Sequence, residues 1–167
     1  MEQSGKNAAF SKEAQVVDLL IRKGYQITFA ESCTGGKAAA RLVNVPNASA
    51  VFGASFVTYA NEAKMKFLGV KNDTIARCGV VSEEVALEMA CGAARETGSQ
   101  VAVGISGIAG PGGAVPGKPV GMVCFGFSFP TGAFSATKMF GDLGRNAVRD
   151  ESVEFVFDTL LKKLKEA

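Results

Sequence analysis

Apolar residues at Phe10, Ala14, Val17, Leu20 and Ile21 recur at the three-and-four spacing of an amphipathic helix. Ser11 before that run and Gly24 after it are residue types that start and stop helices, so a helix is predicted over 12–23. The period then changes. Residues 25–30 form a compact apolar run that predicts a buried strand, and the alanine-rich run 37–43 predicts a helix. Residues 51–59, with Phe52, Phe56, Val57 and Tyr59, predict a second strand. Asn61 opens a short helix predicted to run to Leu68 and stop at Gly69, and residues 72–77 predict one more helical turn. Ser82 reads as an N-cap, with Glu83 and Glu84 in the first turn, where the helix dipole favours negative charge. Behind it, Val85, Ala86, Met89, Ala90, Ala93 and Ala94 form one stripe of mostly small residues, and Gly98 ends the helix. Strands are predicted over 101–106 and 119–129. Pro130-Thr131-Gly132 then turns the chain back into an antiparallel partner ending near residue 140. A last helix is predicted over 143–165, with Val153, Val156, Phe157, Leu160 and Leu164 as its core stripe.

This order of elements predicts a three-layer α/β/α domain with a mixed, mostly parallel sheet. One domain is expected over residues 10–167, behind a flexible tail at 1–9. Composition agrees: 47% of the 167 residues are apolar and 20% charged, enough to bury a core. The net charge of +2, without a basic cluster before the last residues, argues against nucleic acid as a partner. No apolar run reaches membrane-spanning length and the first residues lack a leader pattern, so a cytoplasmic protein that does not engage membranes is expected. Cys33, Cys78, Cys91 and Cys124 form no CxxC pair, which predicts reduced thiols and no zinc site.

The chain has no histidine. That excludes Ser-His-Asp and Cys-His catalysis and every His-ligated metal; a hydrolase built on this chain needs Lys, Tyr, Asp or Glu as its base. Three stretches can carry chemistry. In Ala30-Glu31-Ser32-Cys33-Thr34-Gly35-Gly36, hydroxylated and small residues sit where a strand hands over to a helix. Ser32 there is either a helix cap with a turn or a nucleophile beside backbone donors. Ser106-Gly107-Ile108-Ala109-Gly110-Pro111-Gly112-Gly113 is either a tight turn or an anion cradle; it matches neither a Walker loop nor a dinucleotide fingerprint. In Tyr59-Ala60-Asn61-Glu62-Ala63-Lys64, Lys64 either solvates a helix surface or serves as a base with a lowered pKa. Arg145 and Arg149, four residues apart on the last helix, share one face and can clamp a phosphate or pair with surface carboxylates.

Together with Leu68-Gly69-Val70, Gly79-Val80-Val81-Ser82 and Lys118-Pro119-Val120-Gly121, these stretches resemble the C-terminal domain of the competence/damage-inducible CinA family, from about Ser11 to Leu164. The stand-alone form of that domain is a nicotinamide-nucleotide amidohydrolase. Larger members carry a further N-terminal domain with pyrophosphatase activity, for which this chain is expected to have no room. The resemblance implies hydrolysis of nicotinamide mononucleotide to nicotinate mononucleotide and ammonia at a Ser–Lys site without metal or cofactor. It implies Ser32 as nucleophile, Lys64 as base and Tyr59 as a supporting hydroxyl. Cys33 competes for the first role as the better intrinsic nucleophile, and Ser32 is preferred as the residue matching the family's. Substrate contacts are expected from Glu31, Cys33, Thr34, Gly35 and Gly36, and from Ser106, Gly107, Gly110, Gly112 and Gly113. Glu31 either balances the pyridinium charge or holds the turn. Gly141-Asp142-Leu143-Gly144-Arg145 has two residues more than the family's usual spacing, so both Arg145 and Arg149 stand as phosphate ligands. A homodimer is expected. The rival reading is a non-catalytic nucleotide- or phosphate-binding module; a role in DNA uptake or repair finds no basic surface in the composition.

Overall fold

Five strands build the sheet at the centre of the computed structural model, which describes residues 11–167. The predicted tail at 1–9, and Phe10, lie outside the described residues. In chain order the elements are α1 (Lys12–Lys23), β1 (Ile27–Glu31), α2 (Lys37–Val43), a 3₁₀ turn (Ala48–Ala50), β2 (Phe56–Val57), α3 (Asn61–Leu68), α4 (Asn72–Cys78), α5 (Glu83–Thr97), β3 (Val101–Gly107), β4 (Met122–Phe129), β5 (Gly132–Met139) and α6 (Arg145–Glu166). The sheet order is β2-β1-β3-β4-β5. β1 pairs in parallel with β2 and β3, whereas β3–β4 and β4–β5 are antiparallel. The sheet is therefore evenly mixed, not mostly parallel: no helix crosses over between β3 and β4, and the 130–132 turn makes β4–β5 a hairpin.

The local signals behave as their chemistry requires. Ser11 Oγ accepts from the Ala14 amide at 3.2 Å, and Gly24 closes α1 in the left-handed region at φ 67°. Ser82 Oγ accepts from Val85 N at 3.3 Å at the start of α5. In α1 the buried residues are Val16, Val17 and Leu20; Ile21, one of the apolar residues at helical spacing, is 46% exposed. The predicted strand 51–59 is a larger departure, since only Phe56–Val57 is a strand. Phe52 makes an isolated bridge to Ile27. Between them, Thr28 Oγ1 donates to Ala54 O and Ser55 Oγ to Phe29 O, so side chains stand in for the missing ladder bonds.

The two faces of the sheet differ in side-chain size. Phe29, Val103, Ile105, Phe125 and Phe127 point to one face, where α1, α2 and α6 pack. Each phenylalanine fully buried there contributes about 2–3 kcal/mol. The other face carries Ala30, Gly104 and Gly126 and is covered by α5, with α3 and α4 packed beside it. A Cβ at Gly104 or Gly126 would collide with the Ala86 carbonyl of α5, so their missing side chains let that helix lie directly on the strands. β1 thus lies between β2 and β3, and the chain leaves it first to one side and later to the other. That is a topological switch point, and the crevice outside the carboxyl ends of β1 and β3 is where open α/β sheets bind ligands.

Candidate active site

Ser32 is the first residue past β1. Its amide donates to Ile105 O of β3 at 3.1 Å, which pins it to the sheet, and its carbonyl accepts from Gly35 N at 3.0 Å, which closes a tight turn. Gly35 and Gly36 adopt φ of 58° and 101° to bend the chain into α2. Ser32 does not cap that helix; the cap residue is Gly36. The buried carboxylate of Glu31 takes the helix amides, accepting from Gly36 N at 3.0 Å, Ala38 N at 3.1 Å and Ala39 N at 2.9 Å. Because Glu31 satisfies the helix start, the Ser32 hydroxyl is left for other work.

That hydroxyl meets Lys64. The Nζ of Lys64, on α3, lies 3.1 Å from Ser32 Oγ, 2.7 Å from Thr58 O and 3.1 Å from Tyr59 O. Lys64 is 1% exposed. Burial pushes its ammonium below the ordinary lysine value of 10.5, opposed in smaller part by the nearby Cys33 thiol. Lys64 makes no ion pair among the described residues. A neutral amine has two hydrogens and one lone pair. The ammonium form donates to Ser32 Oγ and the two carbonyls; in the neutral form the carbonyls can take both hydrogens, which leaves the lone pair toward the Ser32 hydroxyl. Cys33 is 6% exposed, and burial, ahead of every other cause, pushes its thiol up to about 11, so at neutral pH it is protonated and a poor nucleophile.

Two adjoining chambers open beside this pair. The first, of about 190 Å³, is lined by Ser32, Cys33, Tyr59, Asn61, Lys64, Val80, Val81, Ser106 and Gly107. The second, of about 260 Å³, shares Cys33, Tyr59, Val81 and Gly107 and continues along Ile108, Ala109, Gly110, Gly112 and Gly113 to Arg145. No carboxylate among the described residues lines either chamber. The amides of Ala109, Gly110, Gly112 and Gly113 have no hydrogen-bond partner among the described residues, nor does that of Thr34, while the Cys33 amide faces its own thiol.

The structure separates residues that the sequence grouped together. Arg145 lies at the second chamber, donating to Gly110 O at 2.8 Å and to the Tyr59 hydroxyl at 2.9 Å. Arg149 instead holds the Ser32 turn from behind, through Cys33 O at 2.9 Å and Thr34 O at 3.2 Å, and lines neither chamber. Tyr59 faces Lys64 with its carbonyl; its hydroxyl points to Arg145, away from any relay between Ser32 and Lys64. Glu31, Thr34, Gly35 and Gly36 line neither chamber, so their part is to build the turn. Ser106 lines the first chamber, with its hydroxyl donated to Val80 O at 2.7 Å. The sequence reading missed Asn61, Val80 and Val81 as lining residues. Val80 and Val81 were visible only as part of a motif, without a physical reason attached.

Fold and site define an α/β domain with a serine–lysine cleft at the switch point of its sheet. A family model for the CinA C-terminal domain matches residues 9–164, and the chain belongs to that family. It is 44% identical over 154 residues to a CinA-like protein of Kosmotoga olearia, covering 92% of this chain and 37% of that protein. With a CinA-like protein of Chloroherpeton thalassium it shares 55% identity over 114 residues, covering 68% of this chain and 27% of the relative. The chain thus spans about a third of the length of the curated relatives it matches. Among solved structures, a CinA superfamily protein from Klebsiella pneumoniae superposes with a TM-score of 0.89 at 35% identity, covering 93% of this chain and 97% of that one. A competence/damage-inducible protein from Agrobacterium tumefaciens gives 0.85 at 36% identity, covering 93% and 96%.

Proposed function

We propose that this chain is an amidohydrolase that converts nicotinamide mononucleotide to nicotinate mononucleotide and ammonia, with Ser32 as nucleophile and Lys64 as base. The observation that carries the reading is the 3.1 Å contact between Ser32 Oγ and a buried Lys64 amine whose other neighbours are two carbonyls. Ser32 Oγ adds to the carboxamide carbon as its proton passes to Lys64 Nζ. The backbone amide of Cys33, which lines the chamber beside Ser32, is the donor available to the oxyanion once it leaves its own thiol; a donor in this role is worth about 3–4 kcal/mol. Lys64 then returns the proton to the departing nitrogen, and ammonia leaves. Water adds to the acyl-enzyme, its proton again taken by Lys64, and collapse of the adduct releases the carboxylate and restores the Ser32 hydroxyl.

The first chamber suits a flat heteroaromatic amide, with Val80 and Val81 against its face. The second offers free glycine-loop amides and the Arg145 guanidinium to a phosphate. The test is incubation of the protein with nicotinamide mononucleotide, followed by assay of ammonia and nicotinate mononucleotide. The wild type should release both, and Ser32→Ala should release neither. Full activity in Ser32→Ala ends the assignment, and tight binding without release supports a nucleotide-binding module instead.

A further inference from the structure

The wall of the first chamber is a short strap between α4 and α5, residues 79–82, which has no regular structure of its own. Side chains hold four consecutive carbonyls along it. Ser82 Oγ donates to Gly79 O at 2.8 Å, and Ser106 Oγ to Val80 O at 2.7 Å. The other two share one donor: Lys118 Nζ contacts Cys78 O and, at 2.6 Å, Val81 O. Lys118 comes from the far end of the glycine-rich loop, where it forms a bridge with Val115. Its ammonium therefore joins the loop that lines the second chamber to the strap that walls the first.

The local chemistry is built for this contact. Cys78 is the last residue of α4, so its carbonyl has no helical partner and the helix dipole favours a cation there. Gly79 has φ 79°, and a Cβ on it would lie 2.6 Å from Lys118 Nζ. A glycine at this position both makes the turn and leaves room for the ammonium. The rest of the loop has few ties: residues 111–117 are all exposed, and Arg145 holds it at Gly110 O.

We propose that Lys118 is a positioning residue for the amidase reaction. By clamping Cys78 O and Val81 O it fixes the Val80–Val81 wall at the distance from Ser32 that holds the carboxamide in line for attack. This rests on the amidase reading above. A 1 Å misplacement in such a wall is enough to cost about 10²-fold in rate. Lys118 does not line the second chamber, so phosphate binding is not its direct task.

The experiment compares wild type, Lys118→Met and Lys118→Arg on nicotinamide mononucleotide and on its riboside, alongside NMR order parameters of the Val80 and Val81 methyls. In Lys118→Met, kcat/KM should fall at least tenfold by the same factor for both substrates, mainly in kcat. The methyl order parameters should drop, and Lys118→Arg should recover part of both. Unchanged kcat/KM, a loss confined to the phosphorylated substrate, or unchanged methyl order would each overturn the proposal. The wild-type arm separates the two claims. If wild type releases no ammonia, the amidase reading fails by itself, while the methyl order of Lys118→Met still decides whether the ammonium fixes the wall.

Discussion

Replacing Lys64 by methionine removes one amine from a fully packed place and separates catalysis from stability. The side chain keeps its length and loses its proton-accepting lone pair. A positioned general base contributes about 10²–10⁴-fold, so kcat/KM should fall by that amount, about 3–5 kcal/mol of transition-state stabilisation. Stability is subject to two effects. Thr58 O and Tyr59 O lose their donor, at about 1–3 kcal/mol each. Against this, methionine removes the cost of burying a polar amine. The two effects oppose each other, so the melting temperature should fall by less than the lost hydrogen bonds alone would give. The pH dependence should move in a defined direction. Between the lowered folded value of Lys64 and its ordinary 10.5, the unfolded chain binds more protons at this group than the folded protein does. Stability therefore rises with pH across that window and is lost as pH falls through it, and Lys64→Met should remove that slope. In wild type, kcat/KM should climb with pH as the neutral amine forms, levelling at a pH below 10.5. The assay is ammonia release across a pH series, with thermal melts in the same buffers. A variant keeping more than about a tenth of wild-type kcat/KM would refute the base role, because a positioned general base typically contributes at least about 10²-fold.

Arg145→Ala should weaken selection for phosphate. A guanidinium hydrogen bond of about 1.5–3 kcal/mol converts to a tenfold to hundredfold loss of kcat/KM on the mononucleotide, with little change on the riboside, read from the two substrates side by side. Glu31→Ala should act on stability, since the carboxylate accepts from three backbone amides at the start of α2. A net loss of about 3 kcal/mol lowers the melting temperature by about 6–12 °C, measurable by calorimetry.

Where one residue type decides an element, the sequence was readable. Ser11, Gly24 and Ser82 mark helix ends by the hydrogen bonds their side chains or backbone make, and those bonds are present. The stripe on α5 was legible because small residues at helical spacing have one use, close packing. Legibility failed where a choice depended on a distant partner. The apolar run at 51–59 has the composition of a strand, but Thr28 and Ser55 take over the carbonyls that a continuous ladder would use. Arg145 and Arg149 are equivalent by spacing; one reaches the glycine loop and the other the back of the Ser32 turn, a difference set by where α6 crosses. For Glu31 both a substrate role and a structural one stood open, and only the three amides around its carboxylate choose between them. Ser32 and Lys64, 32 residues apart, were brought together by resemblance and by the lack of histidine. No local pattern in the chain dictates that contact.

The most direct measurement is mass spectrometry of protein quenched in acid during turnover of nicotinamide mononucleotide. If Ser32 is acylated, the peptide carrying it gains the mass of the substrate less one ammonia, and Ser32→Ala shows no such species. An adduct on Cys33, or the same adduct formed by Ser32→Ala, would contradict it.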